Sequence, residues 1–177
     1  MPIFDQLSRA AEERGLKFLV IGAHAVMRHG FMRATEDVDI LVQREDRPLW
    51  EQLVQDLGYG LFHDGGTFLQ LTPPGGVGWE LDLMLVPAPT FEKMLAEAQP
   101  ARMEGAAVLV PSLDHLLALK FHALKNGKGL RVLKDLEDVI QLVKANRVDV
   151  SAASFRQLCE KHATRVIYEQ LIRACAE

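Results

Sequence analysis

The sequence predicts an α+β protein in which a small mixed β-sheet is flanked by helices and followed by a helical C-terminal part. Apolar runs of strand length alternate with amphipathic helical patterns as far as about residue 110, and every later pattern is helical. A stretch rich in proline and glycine separates two of the strand-like runs, as in an antiparallel hairpin. We therefore expect an α/β core over residues 1–110 and a helical part over residues 111–177, together forming one compact protein.

The predicted elements of the core follow from periodicity and from breaker residues. Helical spacing over Phe4 to Arg14 ends at Gly15, and KFLVIG then reads as a buried strand followed by the helical AHAVMRHG. DVDILV is the next strand, and Pro48 opens a helix that buries Leu49, Leu53, Val54 and Leu57. TFLQLT and WELDLMLV form the hairpin, and a short helix over Thr90 to Gln99 leads to the strand AVLVP.

The remaining patterns predict helices. Ser112 is positioned to cap a long apolar helix, LDHLLALKFHALK, and the stretch from Asn126 to Gly129 interrupts the pattern. LRVLKDLEDVIQLVKAN resumes it, with Leu133 in its apolar stripe. A last helix, capped by Ser151 or Ser154, is expected to run to about Cys175.

Composition limits the possible functions. The chain has 177 residues, is 49% apolar and 25% charged, and carries a formal net charge of -4. These values indicate an ordinary globular protein without a general surface for nucleic acid or anionic membrane. No apolar run approaches the ~20 residues of a membrane span, and the charged, amphipathic start lacks the layout of a signal peptide. With Cys159 and Cys175 interpreted as packing residues, a cytoplasmic location is expected.

Asp37 and Asp39 are ionisable residues at the head of an apolar strand, where a charge needs a partner, a metal or a cleft. Residues two apart on a strand point to the same face, with their side chains about 6 to 7 Å apart at the base. Asp82 lies in another apolar strand, and a neighbouring position in the sheet would bring it to the pair. Such spacing also occurs at solvated strand edges, but three converging carboxylates suit Mg²⁺, and a two-ion site is the expected form.

Gly22 stands where a predicted strand meets a predicted helix. Glycine at such a junction lets backbone amides approach an anionic group, although by itself it is more often a simple turn between the two elements.

Beyond these residues, the sequence resembles a known family. The motif is Gly22-Ala23-x-Ala25-x-x-x-His29-Gly30-x-x-Arg33-x-Thr35-x-Asp37-x-Asp39. With a distant strand aspartate, it is similar to that of the nucleotidyltransferase superfamily with the DNA polymerase β type of fold. More narrowly, it resembles the bacterial branch that contains the AbiEii-type toxin nucleotidyltransferases. LALKFHAL and LKDLEDVIQL resemble helical segments of that branch, so the likeness covers roughly residues 15 to 145.

The resemblance implies a role for each matching residue. Gly22 and the start of the following helix would hold a nucleoside triphosphate, and Asp37, Asp39 and Asp82 would bind Mg²⁺. Asp82 would also help to deprotonate an acceptor hydroxyl that attacks the α-phosphorus, with pyrophosphate leaving. The remaining predicted nucleotide-binding positions are Ala23, Arg33, Thr35, Lys120 and Lys134, with Asp135 expected to orient Lys134.

One position departs from the family pattern. Many members have serine or glycine after the motif's first glycine, where this chain has Ala23, so only backbone donors remain there. A catalytically weak or inactive binding or regulatory relative is therefore the alternative to an active enzyme. The acceptor stays open among a small molecule, a protein side chain and an RNA end, and a toxin role would add a cognate antitoxin as partner.

Overall fold

The structure is a computed structural model that describes residues 2–127 and 129–176. Lys128, within the predicted interruption between Asn126 and Gly129, lies outside the described residues. The strands are β1 Phe18–Val20, β2 Asp37–Gln43, β3 Gly60–Asp64, β4 Phe68–Thr72, β5 Glu80–Val86, β6 Gln99–Met103 and β7 Ala106–Val110. The helices are α1 Ile3–Glu13, α2 Gly22–Arg28, α3 Arg47–Asp56, α4 Ala88–Ala96, α5 Leu113–Asn126, α6 Leu130–Ala145, α7 Ala153–His162 and α8 Arg165–Ala176.

The main sheet is mixed and has five strands in the order β1-β2-β5-β4-β3. β2 and β5 run parallel at its centre, and every other neighbouring pair is antiparallel. β6 and β7 form a separate two-stranded antiparallel sheet. The predicted α+β architecture with a small mixed sheet is confirmed, including the antiparallel pairing of TFLQLT with WELDLMLV.

The chain divides into two compact units. The first contains Met1–Ala25 and Ala34–Ser112, and the second contains Val26–Arg33 and Leu113–Glu177. The second unit therefore combines the C-terminal helices with the end of α2 and the residues that follow it.

Most predicted elements occur, and the differences have local causes. β3 and β6 are missing from the prediction because β3 is exposed at every residue and β6 contains a proline, so neither shows a buried apolar run. Gln99, predicted to end a helix, instead begins β6. The prediction of a single last helix is also wrong, because α7 ends at His162 and a separate helix, α8, begins at Arg165.

The predicted serine caps of the last helix do not form. Ser151 instead donates its hydroxyl to Asp149 Oδ1 at 2.6 Å, and Ala152 precedes α7 without a side-chain cap. The cap sits one helix later, where the backbone N–H of Ile167 donates to Thr164 Oγ1 at 3.3 Å. A threonine at the break thus satisfies an amide at the start of α8.

Two predicted helix faces are slightly rotated. In α3 the buried residues are Trp50, Leu53 and Val54, whereas Leu49 is 47% exposed. In α6, Leu133 is 62% exposed, and two aspartates occupy part of the buried stripe in its place.

The two units each have an apolar core. Fully buried leucines of the central strands, together with Phe4 and Trp50, fill the first unit, and Phe121 and Phe155 meet edge to face in the second, with their ring centroids 5.7 Å apart. Cys159 is buried, and this burial raises the pKa of its thiol to about 11, in keeping with a packing role. Over the described residues, the structure contains no helix with the length and apolar character needed to traverse a bilayer.

Candidate functional site

Three carboxylates converge on one face of the main sheet. Asp39 of β2 is directly opposite Asp82 of the parallel strand β5, and Asp37 precedes Asp39 by two residues on the same face. Each of the three offers an oxygen within 4.8 Å of the others, and each side chain is half-buried. The structure thus brings together the three aspartates that the sequence singled out, in a donor set made entirely of the hard oxygens that Mg²⁺ prefers.

Gly22 makes this arrangement sterically possible. Its φ is +59°, and a β-carbon built on it would lie 1.8 Å from Asp39 Oδ2. The backbone is tied to the same strand, since the N–H of Ile21 donates to the carbonyl of Asp39 at 2.9 Å. Both the conformation and the contact require glycine, because only a residue without a β-carbon leaves space for the Asp39 carboxylate here.

Two polar side chains hold the aspartates in place. The hydroxyl of Thr35, a predicted nucleotide-binding residue, makes a short hydrogen bond to Asp37 Oδ1, which places Thr35 beside the carboxylates. On the other side, Gln70 of β4 stands opposite Asp82 and donates from Nε2 to Asp82 Oδ2 at 3.2 Å. Asp37 and Asp82 therefore each accept a hydrogen bond from a neutral side chain.

A fourth carboxylate shares this face of the sheet. Glu80 stands opposite Asp37 and precedes Asp82 by two residues, so its side chain projects from the same side of β5. It also lines an open cleft of about 480 Å³ together with Glu36, Gly78 and Trp79. The first unit therefore presents a further carboxylate, that of Glu80, next to the three aspartates.

Within the second unit, Arg33 and Lys120 belong to a buried ion network. Arg33 Nε lies 2.9 Å from Asp138 Oδ1, and its Nη2 donates to Asp138 Oδ2 at 3.2 Å. Lys120 Nζ lies 2.7 Å from Asp138 Oδ2 and 2.8 Å from Asp135 Oδ1. Asp135 is thus paired with Lys120, and the expectation that it orients Lys134 is wrong.

The other predicted residues have plain environments. Lys134 is exposed on α6, and Ala23 is completely buried, so its side chain packs as part of the core. His24, which follows Ala23 in α2, packs edge to face against the rings of Phe4 and Trp79 in the first unit, at centroid distances of 5.0 Å and 5.4 Å.

Gln70 and Glu80 were not identified from the sequence. In TFLQLT the glutamine is the polar residue of an ordinary alternating strand, and a polar residue there reads as solvent-facing. Glu80 precedes the apolar part of WELDLMLV and reads as a strand boundary. The period-two spacing of Glu80 and Asp82 on one strand could have identified Glu80, whereas only the strand order places Gln70 beside the aspartates.

Comparison with known proteins agrees with this geometry. A family model described as "Uncharacterised nucleotidyltransferase" matches residues 5–177. No curated protein matches the sequence significantly.

Several solved structures share the fold. The crystal structure of ANT(2″)-Ia in complex with adenylyl-2″-tobramycin has a TM-score of 0.62 and 17% identity, and the match covers 88% of this chain and 95% of that one. An antigenic nucleotidyltransferase-like protein from Paracoccidioides brasiliensis has a TM-score of 0.55 and 16% identity, with coverage of 95% and 89%. Lincomycin-bound lincosamide antibiotic adenylyltransferase LnuA has a TM-score of 0.53 and 14% identity, with coverage of 77% and 93%.

Proposed function

This chain belongs to the family of uncharacterised nucleotidyltransferases, and from that membership we propose that it moves a nucleoside monophosphate from an NTP to an acceptor in a metal-dependent reaction that releases pyrophosphate. The observation that carries the proposal is the group formed by Asp37, Asp39 and Asp82 on one sheet face. A hydroxyl is the preferred acceptor group, with a phosphate as the second choice.

The three aspartates fit Mg²⁺ as its protein ligands. They supply one oxygen each from a compact group, and Gly22 leaves room for Asp39 where any side chain would displace it. When bound, one or two Mg²⁺ ions neutralise charge on the reacting phosphate and on the leaving pyrophosphate.

The chemical step assigns a role to Asp82. The acceptor oxygen forms a bond to the α-phosphorus, the bond from the α-phosphorus to the bridging oxygen breaks, and pyrophosphate leaves with that bonding pair. Asp82 takes the proton of the acceptor hydroxyl, and Thr35 keeps Asp37 in position through its hydrogen bond. The protein thereby orients the reactants and receives the proton.

The triphosphate contacts stay predictions from the family resemblance. The backbone at Gly22 and Ala23 is proposed to contact the phosphates, because Gly22 brings the main chain next to Asp39 and Ala23 has no hydroxyl to offer. Lys134 is the proposed cationic contact, since its side chain is exposed. Arg33 and Lys120 are paired with aspartates in the second unit. This pairing does not test their predicted contacts with the nucleotide, which stay predictions.

The charge of this region supports a proposal for the acceptor class. Glu36 and Glu80 line an open cleft, and Glu80 shares its sheet face with the three aspartates, so this region repels the phosphates of an RNA end and attracts a cation. We therefore place a small hydroxylated amine first among the acceptors. A protein hydroxyl and an RNA end are the other two. Two structural neighbours likewise hold small molecules, since ANT(2″)-Ia is in complex with adenylyl-2″-tobramycin and LnuA is lincomycin-bound.

Metal-dependent nucleotide binding is the first test. Isothermal titration of the full chain with ATP, GTP, CTP and UTP should give binding to at least one of them with Mg²⁺ and none after chelation. Asp37→Ala and Asp39→Ala should abolish that binding, while Glu92→Ala, an exposed carboxylate on α4, should leave it unchanged. Binding that is equal with and without Mg²⁺ would refute the metal-dependent enzyme.

Turnover separates the enzyme from its alternative. A catalytically weak binding or regulatory protein is favoured by Ala23 alone, and it would bind NTP without releasing pyrophosphate. Incubation with α-labelled NTP and a cell extract should transfer label to a small molecule. Label in protein or RNA would redirect the acceptor assignment, and absence of label together with tight NTP binding would favour the regulatory alternative.

A toxin role and a cytoplasmic location complete the proposal. The cytoplasm supplies both NTP and Mg²⁺, and the likeness of the motif to AbiEii-type toxins makes a cognate antitoxin a candidate partner. Co-expression with a neighbouring gene product that relieves growth inhibition would support the toxin role. Growth that is unaffected by expression of the active chain would count against it.

A further inference from the structure

A polar row crosses three strands of the main sheet. Asp39 of β2 pairs in register with Asp82 of β5, and Asp82 pairs with Gln70 of β4. The neighbours of Gln70 on its own strand, Leu69 and Leu71, are buried on the opposite face. Gln70 is itself half-buried, so its amide is directed along the row rather than into bulk solvent.

The hydrogen bond from Gln70 has a specific consequence for Asp82. Gln70 Nε2 donates to Asp82 Oδ2 at 3.2 Å, which occupies one carboxylate oxygen and defines where the other lies. A glutamine amide is neutral at every pH and donates to a carboxylate without adding charge. Asp82 therefore has a partner that restrains its rotamer while leaving its negative charge available to the cluster.

Such a restraint matters because the three aspartates repel one another. Their ligand oxygens lie within 4.8 Å, a distance at which like charges near a protein surface repel one another more strongly than they do in bulk water. Without the hydrogen bond from Gln70, Asp82 is freer to lower this repulsion by rotating away from Asp37 and Asp39. Groups that orient metal-binding carboxylates in this manner typically change metal affinity or activity by about 10- to 100-fold when removed.

We propose that Gln70 is a positioning residue for the reaction, which acts by holding the Asp82 carboxylate toward the metal-binding cluster. The inference rests on the proposed function, because it assigns Asp82 a place among the metal ligands. It adds a residue from β4 to a site that otherwise draws on β2, β5 and the start of α2. An ordinary solvent-facing glutamine would show no dependence on Asp82.

A double-mutant cycle tests this dependence. Mn²⁺ serves as the probe for the metal site, and its dissociation constant from the full chain is measured by electron paramagnetic resonance without nucleotide. Gln70→Met keeps the length of the side chain and removes the donor, so Mn²⁺ affinity should fall by about 10-fold. In the Asp82→Asn background the same substitution should have little further effect, because the group on which Gln70 acts is already changed.

Controls separate positioning from folding. Gln52→Met, at an exposed position of α3, should bind Mn²⁺ like the wild type. If Gln70→Met lowers the melting temperature, Gln70→Ala provides a second donor-free variant with no added bulk. In turnover, both variants should reduce kcat by about 10-fold and leave KM for the NTP nearly unchanged, because Asp82 acts on the acceptor proton.

The outcomes distinguish the two proposals. Wild-type affinity for Mn²⁺ in both Gln70 variants, or effects that add fully to that of Asp82→Asn, would overturn the role of Gln70 and leave the nucleotidyltransferase proposal intact. A wild-type chain that binds no Mn²⁺ would overturn both. A loss of Mn²⁺ affinity on replacing Gln70 in the wild-type background, with no such loss in the Asp82→Asn background, supports the positioning role.

Discussion

At Gly22 the φ of +59° and the 1.8 Å approach of a built β-carbon to Asp39 Oδ2 are two separate demands on one residue. The first is conformational and is shared by many glycines at turns. The second is specific to the candidate site, since it concerns a carboxylate of the cluster. Gly15 provides the comparison, because its φ is +66° and a β-carbon there would have nothing within 4 Å.

We expect Gly22→Ala to differ from Gly15→Ala. Both lose about 1–2 kcal/mol of unfolding free energy for the left-handed backbone. Gly22→Ala also displaces Asp39, so it should lower Mn²⁺ affinity at least 10-fold, whereas Gly15→Ala should not change it. Urea unfolding and Mn²⁺ titration of both variants check this. Equal Mn²⁺ affinity in the two would show that Asp39 does not depend on the close approach.

The sequence neighbours of a side chain decide whether that residue could be identified from sequence. Asp37 and Asp39 were found because an apolar strand makes their charge conspicuous, and period-two geometry alone puts them on one face. Gln70 gave no such signal, because a polar residue between Leu69 and Leu71 is what any half-exposed strand shows. A residue is predictable when its own neighbours make it unusual.

Helix α6 carries two aspartates on its buried side. Asp138 has none of its surface exposed. It forms ion pairs with Arg33 and Lys120, and Asp135 forms an ion pair with Lys120. Two cations and two anions leave the network balanced in charge. Side chains in such a network are matched to one another, so the loss of one member leaves a buried charge without compensation.

We expect Asp138→Ala to destabilise the second unit by about 3–5 kcal/mol, because Arg33 then loses the Asp138 carboxylate and Lys120 keeps only that of Asp135. Glu137→Ala, at the exposed neighbouring position of α6, should stay within about 0.5 kcal/mol of the wild type. Thermal unfolding followed by circular dichroism at 222 nm measures both. A loss of similar size in the two variants would mean that the network contributes nothing beyond helix propensity.

Several elements were predictable because their signals are local. Pro48 within the first turn of α3 and the glycine after α1 mark helix ends through backbone restrictions that hold in any context. β3 lacks such a signal, since all five of its residues are exposed and it forms only by pairing with β4 at the sheet edge. An edge strand is specified by its neighbour more than by its own composition.

The two compact units do not follow the order of the chain. Residues Val26–Arg33 belong to the second unit, although about eighty residues of the first unit separate them from Leu113. In that unit Asn146 Nδ2 donates to the carbonyl of His29 at 2.8 Å, and Arg33 pairs with Asp138. The helical part therefore includes a segment that lies within the predicted α/β region.

We expect a fragment of residues 113–177 to be poorly folded by itself, because Asp138 then lacks Arg33. Joining residues 26–33 to it through a flexible glycine-serine linker of about 15 residues should raise its helix content and melting temperature. The same fusion with Arg33→Met is the matched control and should gain much less. Circular dichroism of the three proteins decides the matter, and equal stability in all of them would contradict the shared unit.

From the amino-acid order alone, it was possible to obtain most of the helices, the central strands, the pair Asp37 and Asp39 and the likeness to nucleotidyltransferases. These features depend on periodicity, breakers and spacing within a few dozen residues, and such patterns act locally. The register that puts Asp82 opposite Asp39, the hydrogen bond from Gln70 and the pairing of Arg33 with Asp138 required the folded chain. They join residues that are 43, 12 and 105 positions apart. Strand order and helix packing bring such distant residues together, and those are set by the burial of the whole core rather than by any local pattern.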